Sequence, residues 1–589
     1  MKELFKLNPL IFRYKWHLLL GTIFIIISNF IAVYTIRFVG EAINIIESFV
    51  SNSAGNGEEA SMRQLMFYSA LIIGLPILTG ILTFLKRQTI IVASRHIEFD
   101  LKNNIYKHYQ ELDTSFYKKN RTGDLMNRIS EDVGYVRMYL GPGIMYPIDL
   151  LSLSIILITE MFLIDSTLTL YTLAPLPVLS VLIYFVSKAI NKQSLVVQEE
   201  QSRLSSLVHD YFSGIRIIKS FNKEKVVMEE YEGSSESYRS KSIDLANIQA
   251  VFAPLMLIVI GVSQILILYA GGVRYINGAI TEIGIVAQFF MYLNMLIWPF
   301  TSLGWVSMVI QRAEASMGRI NEFLSTKSSL LNLNHESKEI SGHLRFENVY
   351  FVYDNTGIQA LTDVSFTLQA GQTLAVIGKT GSGKSTIADL IVRLYDPTSG
   401  TIYVDEIAIP QHNIEYLRTQ IGYVPQEAFL FGDSLANNIA FGVDETTQSE
   451  IEKYAKLADV HENIVDFHQG YETVVGERGV TLSGGQKQRV SIARAMIKEP
   501  KILIFDDSLS AVDTNTEETI LQNIMQEGKE KTVVIITHRV SAAKNANQII
   551  VLDNGRIVQT GTHESLISQS GLYQEMYAAQ IKKENKEVL

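Results

Sequence analysis

Three observations predict an all-α polytopic membrane domain, six transmembrane helices with long cytoplasmic extensions, fused ahead of an α/β P-loop domain. The 589-residue chain is 47% hydrophobic but only 19% charged, with a mean hydropathy of +0.15. A globular protein carries about 25% charged residues. The charge is unevenly divided: residues 1–330 hold 29 Lys+Arg against 27 Asp+Glu, and residues 331–589 hold 22 against 34. A near-neutral half therefore precedes a half of net −12. From residue 344, long apolar stretches give way to short β-rich runs alternating with helices around a glycine-rich loop. There is no cysteine, which excludes disulfides, thiolate zinc sites and a cysteine nucleophile. The net charge of −10 argues against nucleic acid as a partner.

A helix crosses the hydrocarbon core of a bilayer in about 20 residues. Residues 18–39, 65–85, 144–164, 168–186, 251–270 and 283–309 meet that length with few charges. Basic residues set the topology, because they stay in the cytoplasm. Lys2, Lys6, Arg13 and Lys15 precede the first span. Bases also crowd the segments after the second span (Arg95, Lys118, Lys119, Arg128) and after the fourth (Lys188, Arg216, Lys219, Arg239). The loop at 51–61 has Glu58 and Glu59 and no base. The expected arrangement is a multi-pass protein of the cell membrane with both termini in the cytoplasm. The first apolar run is too long for a signal-peptide core and reads as a retained helix. The two basic segments are each long enough for two further helices and read as extensions into the cytosol. The membrane domain is expected over 1–330, a linker over 331–343 and the P-loop domain over 344–589.

In that second domain, residues 373–377 (TLAVI) read as a buried strand. They run into Gly378, Lys379, Thr380, Gly381, Ser382, Gly383, Lys384, Ser385 and Thr386, and then into a helix. Strand, glycine loop and helix together make a phosphate cradle: backbone N–H groups close around the phosphates and the helix N-terminus favours negative charge. Lys384 is expected at the β- and γ-phosphates and the Ser385 hydroxyl on Mg2+. A second buried strand, 501–505, ends in Asp506 and Asp507, where a P-loop enzyme places a magnesium-binding carboxylate. A third, 533–536, leads into His538, whose place at the end of a core strand makes it a catalytic candidate.

Between these strands lie Leu482, Ser483, Gly484, Gly485 and Gln486, followed by a helical run. With this signature the chain resembles the ATP-binding cassette transporters, and six spans ahead of one cassette resemble the half-transporters of the exporter branch. The resemblance implies an α/β P-loop ATP-binding cassette that uses ATP and Mg2+. It places Tyr353 against adenine, and Gln426, Ser385 and Asp506 at the metal. It gives Asp513 to communication between two cassettes, and the segment from Gly476 to Gly479 to contact with the cytoplasmic loops. In this family cassettes pair head to tail, so residues 482–486 serve the partner's ATP and the chain must dimerise. Short helices near 113–117 and 211–216 are expected to press into the cassettes.

One position departs from the family pattern. Where the family has a glutamate that polarises the attacking water, this chain has Asp507. The lost methylene withdraws the carboxylate by about 1.5 Å, and positioning errors of about 1 Å can cost about a hundredfold in rate. Because the signature is intact while the base position is altered, the favoured expectation is one half of a heterodimeric exporter. Its own ATP site would be degenerate and its signature would complete a competent site on the partner. A homodimer, exporting lipid or peptide, is the alternative.

The transported compound leaves a weaker trace. Charged residues inside spans are costly and are functional candidates. Asp149 and Glu160 lie eleven residues apart, about three turns, and so share a helix face. They could line a cavity selecting cationic amphiphiles, or pair with bases on neighbouring helices. Phe289, Phe290, Tyr292 and Trp298 could cradle flat apolar compounds or simply pack. The expectation is export of small hydrophobic compounds, cationic ones included, with membrane lipid around the spans.

Overall fold

A computed structural model describes residues 2–51, 58–332, 334, 336–476, 482–509, 512, 514–527 and 530–587. The chain divides into two compact units, residues 1–109 with 123–326, and residues 110–122 with 327–589. Among the described residues, six helical segments are long and apolar enough to cross a membrane.

In the first unit, helix α1 (Lys15–Ser51) and helix α2 (Glu58–Glu111) carry the first two spans. A short helix, α3 (Thr114–Lys119), follows and belongs to the second unit. The third span, α4 (Ile144–Ile164), continues a helical train that begins at Thr122. Two π-turns, Arg128–Asp132 and Tyr139–Gly143, interrupt that train, the second around Pro142, which has no N–H to donate. The expected fourth span is split into α5 (Ser166–Leu173) and α6 (Pro175–Ser213). The interruption at Ala174, whose backbone stays helical (φ −54°, ψ −37°), follows from Pro175, which has no N–H to continue the hydrogen-bond ladder. Gly214 separates α6 from α7 (Ile215–Ser220), so the short helix expected near 211–216 starts after Tyr211 rather than at it. Helices α8 (Glu224–Ile276) and α9 (Gly284–Ser325) complete the unit.

Leu157, Met161, Leu168, Phe289, Tyr292 and Leu293 form its interior. Large apolar side chains such as Ile73, Ile155, Leu163, Leu257 and Ile265 point outward. In water such a surface would drive aggregation, whereas hydrocarbon solvates it at no cost. The backbones of helices α1 and α9 come close at Gly40 and Gly284, where a Cβ on Gly284 would collide with the Gly40 carbonyl oxygen.

In the second unit a six-stranded sheet and a four-stranded sheet pack around the P-loop. The antiparallel sheet takes β1 (Leu344–Val352), β2 (Gln359–Leu368), β4 (Ser399–Val404) and β5 (Ile407–Ala408), in the order β2-β1-β4-β5. The larger sheet takes β3 (Thr373–Gly378), β6 (Ile421–Val424), β7 (Ile502–Asp506), β8 (Thr532–Thr537), β9 (Gln548–Asp553) and β10 (Arg556–Gly561). Its order is β10-β9-β3-β8-β7-β6, with all neighbours parallel except β9 and β10. Strands β3, β7 and β8 are buried along their whole length, which explains their unbroken apolar runs. Parallel pairing brings their C-terminal ends to one edge. There the chain presents the glycine loop, Asp506-Asp507 and His538 together.

The segment 327–343 has neither helix nor strand among its described residues, yet it is tied down. Ile340 is fully buried, and Ser341 and His343 donate backbone N–H groups to Asp405.

The Gly40–Gly284 crossing yields a stability prediction. Gly284→Ala should destabilise the protein by about 1–3 kcal/mol through overpacking. Gly74→Ala, with open space around the position, should leave stability unchanged or slightly raised. Thermal midpoints in detergent check the pair, and equal midpoints would contradict the close crossing.

Candidate functional site

The site grows from β3. Its last residue, Gly378, packs so tightly that a side chain would strike the Leu552 carbonyl of β9. The loop then turns through Gly381 (φ +79°) and Gly383 (φ +96°), conformations that favour glycine. A Cβ on Gly383 would meet the Ala360 carbonyl, while one on Gly381 would project into open space. Helix α10 (Lys384–Ile391) starts here, and its first N–H groups face the loop. A cleft of about 520 Å³ opens over the turn, lined by Gly381, Lys384, Ser385, Gln426, Asp506 and Asp507 among others.

The side chains converge. Lys384 Nζ donates to the carbonyls of Gly378 (2.9 Å) and Lys379 (2.8 Å). Burial pulls its ammonium down, opposed by the nearby charges of Asp507 and Asp506. Ser385 Oγ donates to Asp506 Oδ1 at 2.8 Å. Burial pushes Asp506 up, and the Ser385 bond pulls partly against it. Asp507 sits in the left-handed region (φ +47°), with its N–H on the Ile536 carbonyl of β8. Its two oxygens face different partners, His538 Nδ1 at 2.9 Å and Gln426 Nε2 at 3.4 Å. Tyr353 borders the cleft, and its hydroxyl meets Thr386 Oγ1 at 3.0 Å. Ser382 Oγ is buried without a hydrogen-bond partner.

These groups suit a polyphosphate accompanied by a hard divalent cation. A hydroxyl, a carboxylate and a side-chain amide are oxygen donors of the kind Mg2+ takes, and Mg2+ commonly completes its shell with substrate phosphates and water. Among the described residues no cluster of three His, Cys, Asp or Glu could hold a metal by protein ligands alone.

Residues 482–486 stand elsewhere. Ser483 and Gln486 form a capping box on the helix Gly484–Met496: Gln486 N–H donates to Ser483 Oγ, and Ser483 N–H to Gln486 Oε1 (3.0 Å). Leu482 is buried and Ser483 and Gly484 are exposed. None of the five lines the cleft over the glycine loop of its own chain. Asp513 and residues 477–479 lie outside the described residues.

In the membrane unit, Asp149 accepts from Lys86 Nζ at 3.1 Å and from Asn29 Nδ2 at 3.2 Å. Glu160 faces Arg37 at 3.5 Å. Both carboxylates thus face the first span and meet bases. Phe289 and Tyr292 are fully buried, Phe290 is partly buried and Trp298 is exposed.

Two participants escaped sequence reasoning. The turn at Asn554-Gly555 (φ +48° and +76°) between β9 and β10 lines the cleft, and Gly555 N–H donates to the Ser382 carbonyl at 3.1 Å. An Asn-Gly pair between apolar runs is a hairpin signal. The second is Asp389, one turn along α10 from Ser385. Burial pushes its carboxyl up to about 6, opposed by the charge of Lys118. Nothing in the local sequence marks it.

Family models match both units: "ABC transporter transmembrane region" over residues 18–300 and "ABC transporter" over residues 361–510. The chain is 35% identical to the multidrug resistance-like ATP-binding protein MdlA of Escherichia coli, covering 97% of this chain and 95% of that protein. It is 35% identical to the probable multidrug resistance ABC transporter ATP-binding/permease protein YheI of Bacillus subtilis, covering 92% and 93%. It is 30% identical to the ATP-dependent lipid A-core flippase of Haemophilus ducreyi over 98% of each. The solved structure of a bacterial Atm1-family ABC exporter with ATP bound superposes with a TM-score of 0.76 at 26% identity, over 98% of each chain.

Asp389 generates a pH prediction. A carboxyl raised on folding contributes stability below about pH 4 that is lost as pH rises through about 6. Asp389→Asn, neutral throughout, should therefore gain stability over the parent between those values and hold the gain above them. The gain should reach at most about 3 kcal/mol. Thermal midpoints of nucleotide-free protein across pH check it, and a gain independent of pH would count against it.

Proposed function

Because the chain belongs to the ABC transporter family, in the six-span, one-cassette layout of its exporter half-transporters, we propose that it is one half of a heterodimeric exporter of small hydrophobic compounds. Exporters of this family work as dimers, and their cassettes hydrolyse ATP in step with transport.

Lys384 and the amides of residues 378–386 would take the ATP phosphates, and Tyr353 the adenine. Ser385, Gln426 and Asp506 would hold Mg2+, which supplies charge neutralisation between the phosphates. Asp507 occupies the place of the base that orients water, with His538 beside it. Residues 482–486, absent from the chain's own cleft, would complete the partner's site, and Asp513 would serve communication between the two.

The observation that carries the heterodimer is the short carboxylate of Asp507. It is held between His538 and Gln426, on a backbone turned away into the left-handed region. Fixed there and one methylene short, it would position water poorly. The names of the two 35% relatives support a multidrug-type compound, and the lipid A-core flippase supports the alternative, a homodimeric exporter of lipid or peptide. Asp149 and Glu160 already meet Lys86 and Arg37, so the proposal rests on apolar character rather than on selection of cations. Phe290 and Trp298 remain the exposed or half-buried aromatic candidates. We place both termini in the cytoplasm on the basic residues before the first span.

Two measurements test this. In proteoliposomes the chain alone should hydrolyse ATP at least about tenfold more slowly than the complex with a half-transporter carrying glutamate at the equivalent position. Asp507→Glu in that complex should raise the rate. Robust activity of the chain alone, abolished by Asp507→Asn, would overturn the degenerate-site reading. Inside-out vesicles holding the complex should accumulate a hydrophobic dye only with ATP. Accumulation of labelled lipid or peptide instead would favour the alternative.

A further inference from the structure

Part of the chain between the second and third spans does not fold with them. Residues 110–122 belong to the compact unit that holds the P-loop. Asp113 fixes them there. One of its oxygens caps α3 by accepting from Phe116 N–H (3.1 Å), and the other accepts from Ser329 N–H (2.5 Å), Ser329 Oγ (2.7 Å) and Ser328 Oγ (3.3 Å). These bonds hold the Asp113 carboxylate below its ordinary range despite its burial.

The far end of α3 carries Lys118. Its ammonium lies 5.0 Å from the ring centroid of Tyr353 and 5.0 Å from that of Tyr395. The two rings meet edge to face at 5.6 Å, and Phe351 meets Tyr353 edge to face at 4.8 Å. Tyr353 is also held through its hydroxyl by Thr386 of the P-loop helix. A cleft of about 230 Å³ separate from the P-loop cleft is lined by Lys118, Tyr353, Tyr395 and Asp354. Tyr353 thus borders two clefts, with the P-loop on one side and α3 on the other. A tyrosine side chain has two main torsions. The Thr386 bond fixes the hydroxyl end, the two aromatic edges limit ring rotation, and the cation is attracted to the π-face.

We propose that Lys118 is a positioning residue for the nucleotide base: by holding the Tyr353 ring from the α3 side, it sets the platform on which the base stacks. The inference rests on the reading of Tyr353 as the adenine partner. It gives a residue of the membrane-helix connection a direct influence on nucleotide affinity, independent of the phosphate cradle. The required chemistry is a cation on an aromatic face. Arginine can supply it, whereas an uncharged chain of similar length cannot.

Binding by the full chain in nanodiscs tests this with two probes, ATP and inorganic tripolyphosphate, which lacks a base. Lys118→Ala and Lys118→Met should each weaken ATP binding about two- to fivefold and leave tripolyphosphate binding unchanged. Lys118→Arg should restore ATP binding. In a Tyr353→Leu background, Lys118→Ala should have no further effect. Loss of both probes together, or no loss of either, would overturn the proposal, because a collapsed P-loop moves both probes and an idle lysine moves neither. If Tyr353→Leu alone leaves ATP binding intact, the platform reading fails and takes this inference with it. If Tyr353→Leu weakens ATP binding while Lys118→Ala does not, only the role of Lys118 fails.

Discussion

Charge held out of water at the edge of a parallel sheet is the constraint around which the P-loop unit is built. Strands β3 and β7, with β8 between them, are buried end to end, and at their C-terminal ends they deliver Lys384, Asp506 and Asp507 into one cleft. A buried ion is tolerated only if it is paired and hydrogen-bonded. The lysine therefore lies on two loop carbonyls, Asp506 on Ser385, and Asp507 between His538 and Gln426. The turns follow from the same demand. Gly378 and Gly383 allow the loop to approach the Leu552 and Ala360 carbonyls, and the Asn554-Gly555 hairpin closes over Ser382. The cleft is preorganised for a polyanion because its own carbonyls and carboxylates already crowd a cation that a phosphate can take over.

The membrane unit meets the same electrostatic problem in a different solvent. Lys86, nearly buried, is matched by Asp149, and Asp149 is further bonded by Asn29. Arg37 is matched by Glu160. Each pair ties the third span to another helix in surroundings where an unpaired charge would be costly. Close backbone contact at Gly40 and Gly284 supplies the other kind of adhesion available between apolar helices, packing without a hydrophobic drive.

Asp507 shows how far a single residue can be read. Its identity, one methylene short of glutamate, was visible in the chain, and with it the question of how water would be oriented. Its partners were not. Gln426 and His538 lie 81 and 31 residues away, and only the pairing of β6, β7 and β8 brings them to the same carboxylate. Lys118 belongs to the same class. By sequence it is one more base in a cytoplasmic segment, and only folding sets it over Tyr353.

Local order is what the sequence alone determined. Six apolar stretches of bilayer length, the strand–glycine loop–helix motif and the carboxylates at strand ends all encode their structure within a few residues, through hydrophobic period, glycine freedom and charge cost. Proline breaks were half legible: Pro175 divides the fourth span where its chemistry says it should, but the apolar run hid the break. Long-range adjacency was decided only by the tertiary structure. Asp149 and Glu160 left open whether they line a cavity or pair with bases, because their partners Lys86 and Arg37 stand on other helices. Asp389 carries no local mark, since its raised carboxyl comes from burial that neighbouring residues do not predict. Burial and partnership are properties of space, and a linear chain encodes them only through the fold that creates them.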